Sequence, residues 1–102
     1  VYENTLKEFS KRIRKEYGEK IRDIILYGSA ARGEARKDSD LDIAVVFEGN
    51  LFEAWKKLSA IAFDVMLDTG RYISVQILSP DDLKRLHNPY IKNVIGEGVK
   101  VA

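Results

Sequence analysis

The sequence has no cysteine, which excludes a disulfide framework, a thiolate metal site and a cysteine nucleophile, and leaves any metal chemistry to carboxylates. That fits a reducing compartment. It also lacks long apolar stretches: the longest run is the five residues Ile43 to Phe47, against about 20 for a membrane-spanning helix. No charged-then-apolar signal segment opens the chain, so a cytoplasmic protein with no membrane partner is expected. Two prolines and seven glycines in 102 residues, with 45% hydrophobic and 32% charged residues, exclude collagen-like, disordered and low-complexity classes. The length predicts one domain over residues 1–102, with one two-layered core and one site.

Charge of one sign is lacking too. Seventeen basic and sixteen acidic side chains leave a net charge of +1, so bulk attraction to nucleic acid is weak and a nucleic-acid partner is not expected. The charges are nevertheless unevenly spread, with ten basic and six acidic residues in 1–37 and seven basic and ten acidic in 38–102. A solvated helix face accounts for the basic excess, or the two signs meet around one site.

Thr5 with Glu8 reads as a capping box for a first helix, whose apolar positions are Leu6, Phe9, Ile13 and Tyr17 and which Gly18 ends. Ile21 to Tyr27 reads as a buried strand that stops at Gly28-Ser29. In a second strand, Asp40 to Phe47, alternation puts Leu41, Ile43, Val45 and Phe47 on one face and Asp40, Asp42, Ala44 and Val46 on the other. Asn50 and Glu53 start a long helix with an apolar stripe of Leu51, Trp55, Leu58, Ile61, Ala62 and Val65, ending near Gly70. A third strand follows over Tyr72 to Leu78. Ser79-Pro80-Asp81-Asp82 starts a helix, and Asn88-Pro89 starts a last one that ends before Gly96. The order of elements predicts an α/β (α+β) fold, a small mixed sheet of three or four strands with helices packed on it.

Residues 28–46, GSAARGEARKDSDLDIAVV, stand apart from this routine pattern. Gly28 permits a sharp turn and close approach of backbone to a ligand, and a short helix starting near Ser29 or Ala30 would aim N–H groups at phosphate. Ser29 adds a hydroxyl donor. Asp40 and Asp42, two apart on a strand, project from one face with carboxylates able to bind one magnesium ion or bridge two. The small Ala44 on that face suggests room above the strand for a metal and a triphosphate. Arg32, Arg36 and Lys37 lie in the joining turn, where cations and anions would converge.

This stretch resembles the minimal nucleotidyltransferases of the DNA polymerase beta superfamily, whose signature is Gly-Ser, ten residues, then Asp-x-Asp. Gly28-Ser29 and Asp40-x-Asp42 match at that spacing, and Ala31-Arg32-Gly33 and Ser39-Asp40 match the commoner residues between. The order of elements extends the resemblance over nearly the whole chain. It implies the nucleotidyltransferase-like fold and a Mg2+-dependent transfer of a nucleoside monophosphate, AMP from ATP, onto a hydroxyl. Asp40 and Asp42 would be the catalytic metal ligands, and Gly28, Ser29, Arg32 and Ser39 the nucleotide-binding residues. For Arg32 the alternative is a surface arginine paired with Glu34 or Asp38. The family also implies a partner: such chains are commonly encoded with a helical HEPN-type toxin, whose tyrosine the nucleotidyltransferase half modifies as antitoxin. Association with a second copy of the chain stays open as well.

Active members usually carry a third carboxylate on the next strand. Here that position falls on Ser74, or on Gln76 if the register slips by two, and neither is acidic. The alternative function is therefore a weak or inactive subunit that binds nucleotide or partner without turnover. Asp64 and Asp68, on or just after the long helix, are expected in solvent. His87 is expected near a helix end, and Trp55, Tyr27 and Tyr72 on core faces.

Overall fold

The computed structural model describes residues 2–34, 40–85 and 87–101. Helix α1 (Glu3–Tyr17) turns Leu6, Phe9 and Ile13 inward and passes through a single 3-10 turn, Gly18–Lys20, into strand β1 (Ile21–Tyr27). The short helix α2 (Gly28–Ala31) follows at once, and strand β2 (Leu41–Phe47) returns antiparallel to β1. Helix α3 (Leu51–Thr69) crosses over to β3 (Ile73–Leu78), which lies parallel to β2. A 3-10 turn, Pro80–Lys84, leads to α4 (Pro89–Glu97) and the two-residue strand β4 (Val99–Lys100). The sheet order is β3-β2-β1-β4, a mixed four-stranded sheet with β4 antiparallel on the β1 edge. This is the expected fold class.

Local chemistry explains most of the boundaries. The Asn50 side chain accepts a hydrogen bond from the Glu53 N–H at 3.0 Å, and Gly70 closes α3 in the left-handed conformation at φ 80°. Ser79 and Asp82 form a reciprocal capping box, with bonds of 3.1 and 2.8 Å. Asn88 caps α4 through the Tyr90 N–H at 2.9 Å.

Several expectations are corrected. Thr5 is not a cap: α1 starts at Glu3, after Tyr2, and Thr5 is buried within the helix. Tyr2 packs against the core and so sets an earlier start than the hydroxyl pattern indicates. Helix α4 runs through Gly96 to Glu97, and β4 was not foreseen, since two residues carry no periodicity. Trp55 and Tyr72 are 47% and 42% exposed rather than core. Helix α3 buries Ala54, Leu58, Ala62 and Val65, and Trp55 falls to one side of that line.

The alternation in β2 sorts the interior as expected. Leu41, Ile43, Val45 and Phe47 join one core with residues of α1 and α3, including Phe9, Ile13, Leu58 and Val65. On the opposite sheet face Ala44 and Val46 pack with Ile25, Leu78, Ile91 and Val94 beneath α4. The room inferred above Ala44 is therefore filled: the small side chain seats α4, leaving Ala44 with no exposure.

Candidate functional site

The site lies where β1 ends and β2 begins, on the α4 side of the sheet. Asp42 is cross-strand from Tyr27, the last residue of β1, and beside Ser74 of β3. The parallel register thus decides between the two third-strand positions: Ser74 neighbours Asp42, while Gln76 neighbours Ala44. Asp40 stands two residues earlier, just outside the strand and exposed.

Gly28 follows Tyr27 with φ +74°, a conformation that L side chains rarely adopt, and a Cβ there would run into the Asp42 carboxylate. The Asp42 carboxylate therefore rests against the Gly28 backbone, and glycine is required twice, by dihedral and by space. The turn is closed by backbone bonds from Arg32 N–H to Gly28 O at 3.2 Å and from Glu34 N–H to Ser29 O at 2.8 Å. Ser29 is half-buried at the start of α2.

Burial, and then the like charge of Asp40, raise the proton affinity of Asp42 above the ordinary carboxylate value, and Arg32 offsets this in part. A carboxylate that is partly desolvated and faces another gains when a cation arrives. The donor set is all oxygen, which suits a hard divalent ion such as magnesium. Only Asp40 and Asp42 contribute acids: no group of three or more His, Cys, Asp or Glu side chains positioned for a metal occurs among the described residues.

Arg32 donates from Nε to Glu34 at 2.9 Å and from Nη1 to Glu97 of α4 at 2.8 Å. The paired-arginine alternative is thus realised, with Glu97 as the partner the sequence could not supply. Both pairs are exposed, and such pairs typically contribute only about 0–1 kcal/mol each, so a phosphate could draw the guanidinium away. Arg36, Lys37, Asp38 and Ser39 lie outside the described residues.

One neighbour went unrecognised in the sequence. Tyr90, at the start of α4, donates a hydrogen bond from its hydroxyl to that of Tyr27 at 3.2 Å, with the rings edge to face. Burial raises the pKa of both phenols, and Asp42 adds to the rise in each. The two rings form an apolar wall beside the carboxylate. Sixty-three residues separate the pair, so no local pattern could join them. Asp64, Asp68 and His87 are exposed, the first two as expected, and Asp68 is held by Arg12 at 2.5 Å. A groove of about 510 Å³ runs along α1 beside Val101, with none of the acidic pair in its lining.

Residues 6–100 match the family model described as "Nucleotidyltransferase domain". A Methanocaldococcus jannaschii protein, provisionally named protein adenylyltransferase MJ1379, is 33% identical over 93 residues, covering 90% of this chain and 85% of that protein. Among solved structures, a provisionally named nucleotidyltransferase from Sulfolobus solfataricus superposes with a TM-score of 0.65 at 21% identity, covering 95% of this chain and 76% of that one. A chain from the complex of a tri-AMPylated Shewanella oneidensis HEPN toxin with its MNT antitoxin gives a TM-score of 0.59 at 18% identity, covering 98% and 71%. At these identities the solved structures speak for the fold.

Proposed function

The chain belongs to the nucleotidyltransferase domain family, and from that premise we propose that it transfers AMP from ATP to a tyrosine hydroxyl of a HEPN-type partner, acting as its antitoxin. The observation that carries this reading is the Asp42 carboxylate held against Gly28 at a strand end, with Asp40 two residues before it. The adenylyltransferase name of the M. jannaschii relative and the AMPylated toxin in the Shewanella complex support the choice of AMP and of partner.

Asp40 and Asp42 would hold Mg2+, with the Ser74 hydroxyl the neutral oxygen nearest in register. Bound there, the ion would neutralise charge on the reacting phosphate and on the departing pyrophosphate. The chain's own residues do the positioning. Gly28 and Ser29 let the phosphates approach the backbone, and Arg32 exchanges Glu34 and Glu97 for phosphate oxygens. Tyr27 and Tyr90 keep water from one side of Asp42 and so strengthen its hold on a cation. The acceptor oxygen attacks the α-phosphorus as its proton leaves, and the bond to the β-phosphate breaks to release pyrophosphate.

Label transfer from ATP to the partner tests this reading. Replacing Asp42 by Asn should remove several kcal/mol of transition-state stabilisation, roughly a thousandfold in rate, while the fold remains. A variant as fast as the parent would exclude a two-carboxylate site. The rival reading, a binding subunit without turnover, is favoured by the serine beside Asp42, at the position where the resemblance leads one to expect a third acid. Transfer by the parent excludes it. ATP binding that needs magnesium, with no transfer to the partner, would select it instead. No described helix is long and apolar enough to cross a membrane.

A further inference from the structure

Helix α3 carries two apolar faces. Its inner face is buried against the sheet, while Phe52, Trp55, Phe63 and Leu67 remain 65%, 47%, 50% and 67% exposed. At 3.6 residues per turn these four fall within about 60° of one line along the helix, and that line lies more than about 100° round from the buried face. Phe52 stacks on Trp55 with ring centroids 6.4 Å apart, and the Lys56 ammonium lies 5.5 Å from the Phe52 centroid. These contacts join the first two rings into one aromatic cluster, and Phe63 and Leu67, one turn apart, continue the stripe along the same side.

Its size is informative. With aromatic side chains presenting about 150–250 Å² each, the four residues leave roughly 400–500 Å² of apolar surface in water. That is the size of the largest apolar patch on a typical monomer, about 300–600 Å², which is often functional. A standard interface takes about 800 Å² from each partner, a little over half of it apolar, and this patch supplies that share.

We infer that this face of α3 binds the same face of a second copy of the chain, the two helices running antiparallel about a twofold axis near Ser59 and Ala60. The pattern is self-complementary in that orientation. Phe52 of one copy meets Leu67 of the other, and the small residues at the centre let the helix axes approach to about 8–10 Å. Charges agree as well. Lys57, Asp64 and Asp68 lie along one flank of this stripe, and Lys56 lies within the stripe on the side nearest that flank. Within the chain Lys57 is held by Glu16 and Asp68 by Arg12, whereas among the described residues Asp64 makes no ion pair and Lys56 lies along the apolar face. A twofold antiparallel pairing brings each Lys56 beside the other copy's Asp64. A parallel pairing would set lysine against lysine and aspartate against aspartate, which is unfavourable.

The inference is independent of the proposed reaction, because α3 lies on one face of the sheet and Asp42 shares the other with Ala44 and Val46. Both copies keep that end open.

Sedimentation of the 102-residue chain tests the pairing. The parent should sediment at twice its 11.6 kDa, and Phe63→Glu at 11.6 kDa, with unchanged circular dichroism and a melting temperature that, unlike the parent's, no longer depends on concentration. Lys56→Asp should weaken association at least about tenfold, and Lys56→Asp with Asp64→Lys should restore it. Because the chain has no cysteine, Ser59→Cys places a single thiol near the axis. It should cross-link into a dimer on oxidation, and fail to do so when combined with Phe63→Glu. A parent that stays monomeric throughout the micromolar range overturns the inference. So does a dimer that Phe63→Glu leaves intact, or a helical partner that occupies this face in place of the second copy.

Discussion

The two faces of the sheet are made by the same strands and differ in how much helix covers them. Under α1 and α3, with 15 and 19 residues, β2 contributes Leu41, Ile43, Val45 and Phe47 to a core from which water is excluded along the whole strand. Under α4, with nine residues, the cover reaches Val46 and Ala44 and stops. At 1.5 Å per residue α4 spans only about 14 Å, and Asp42, at the start of the strand, is left half-buried beside Tyr27 and Tyr90. A carboxylate would be costly under the long helices, where nothing pairs with it. The lesson is that the site occupies the one end of β2 where the cover gives out.

If the faces are separable, a cavity on the α3 side should lower stability and leave chemistry alone. Leu58 is fully buried there, and Leu58→Ala should cost roughly 2–5 kcal/mol in denaturant unfolding. The KM for ATP below the transition should be unchanged. A shifted KM would show that the two faces are coupled.

The converse change is Gly28→Ala. Strain in the left-handed region costs about 1–2 kcal/mol, and the added Cβ displaces the Asp42 carboxylate. Displacements of about 1 Å cost on the order of a hundredfold in rate, so label transfer should fall by that much while unfolding loses only the strain of about 1–2 kcal/mol. Retained activity would mean that the carboxylate does not need its seat on the glycine.

Ser74→Asp sharpens the comparison by adding an anion beside Asp42. With magnesium present, transfer should rise about tenfold, because the ion is then held by three acids. Without it the variant should be less stable than the parent, since three carboxylates face one another. An unchanged rate would show that the missing acid does not limit turnover.

The smallest effect expected is on stability against pH. The folded chain raises the pKa of Asp42 above 3.8, so its proton is bound more tightly in the native state than in the unfolded one. Stability from this group is therefore present at acid pH and lost as pH rises from 3.8 through the raised value. In metal-free buffer, Asp42→Asn should melt slightly higher than the parent at neutral pH and at the same temperature near pH 3. Magnesium should stabilise the parent and not the variant. A variant that melts lower at neutral pH would mean that the carboxylate is already compensated.

Much of the fold and of the site follows from local rules that one chain satisfies by itself. The alternation in 40–47 assigned each β2 side chain to its face, and Asn50, Ser79 and Asn88 marked their helix starts because caps need only neighbours within three residues. Gly28 and the Asp40-x-Asp42 spacing were legible for the same reason. Apolar content alone misled: the periodicity of α3 cannot tell which of two apolar faces meets the sheet, so Trp55 was placed inside and stands outside. The tertiary structure decided what depends on distant contacts: that Ser74 and not Gln76 neighbours Asp42, that α4 fills the space above Ala44, that Glu97 takes Arg32, and that Tyr90 closes on Tyr27. Each of these joins residues more than thirty positions apart, and strand register and helix docking are set by the summed burial of many side chains. No single stretch of sequence contains that sum.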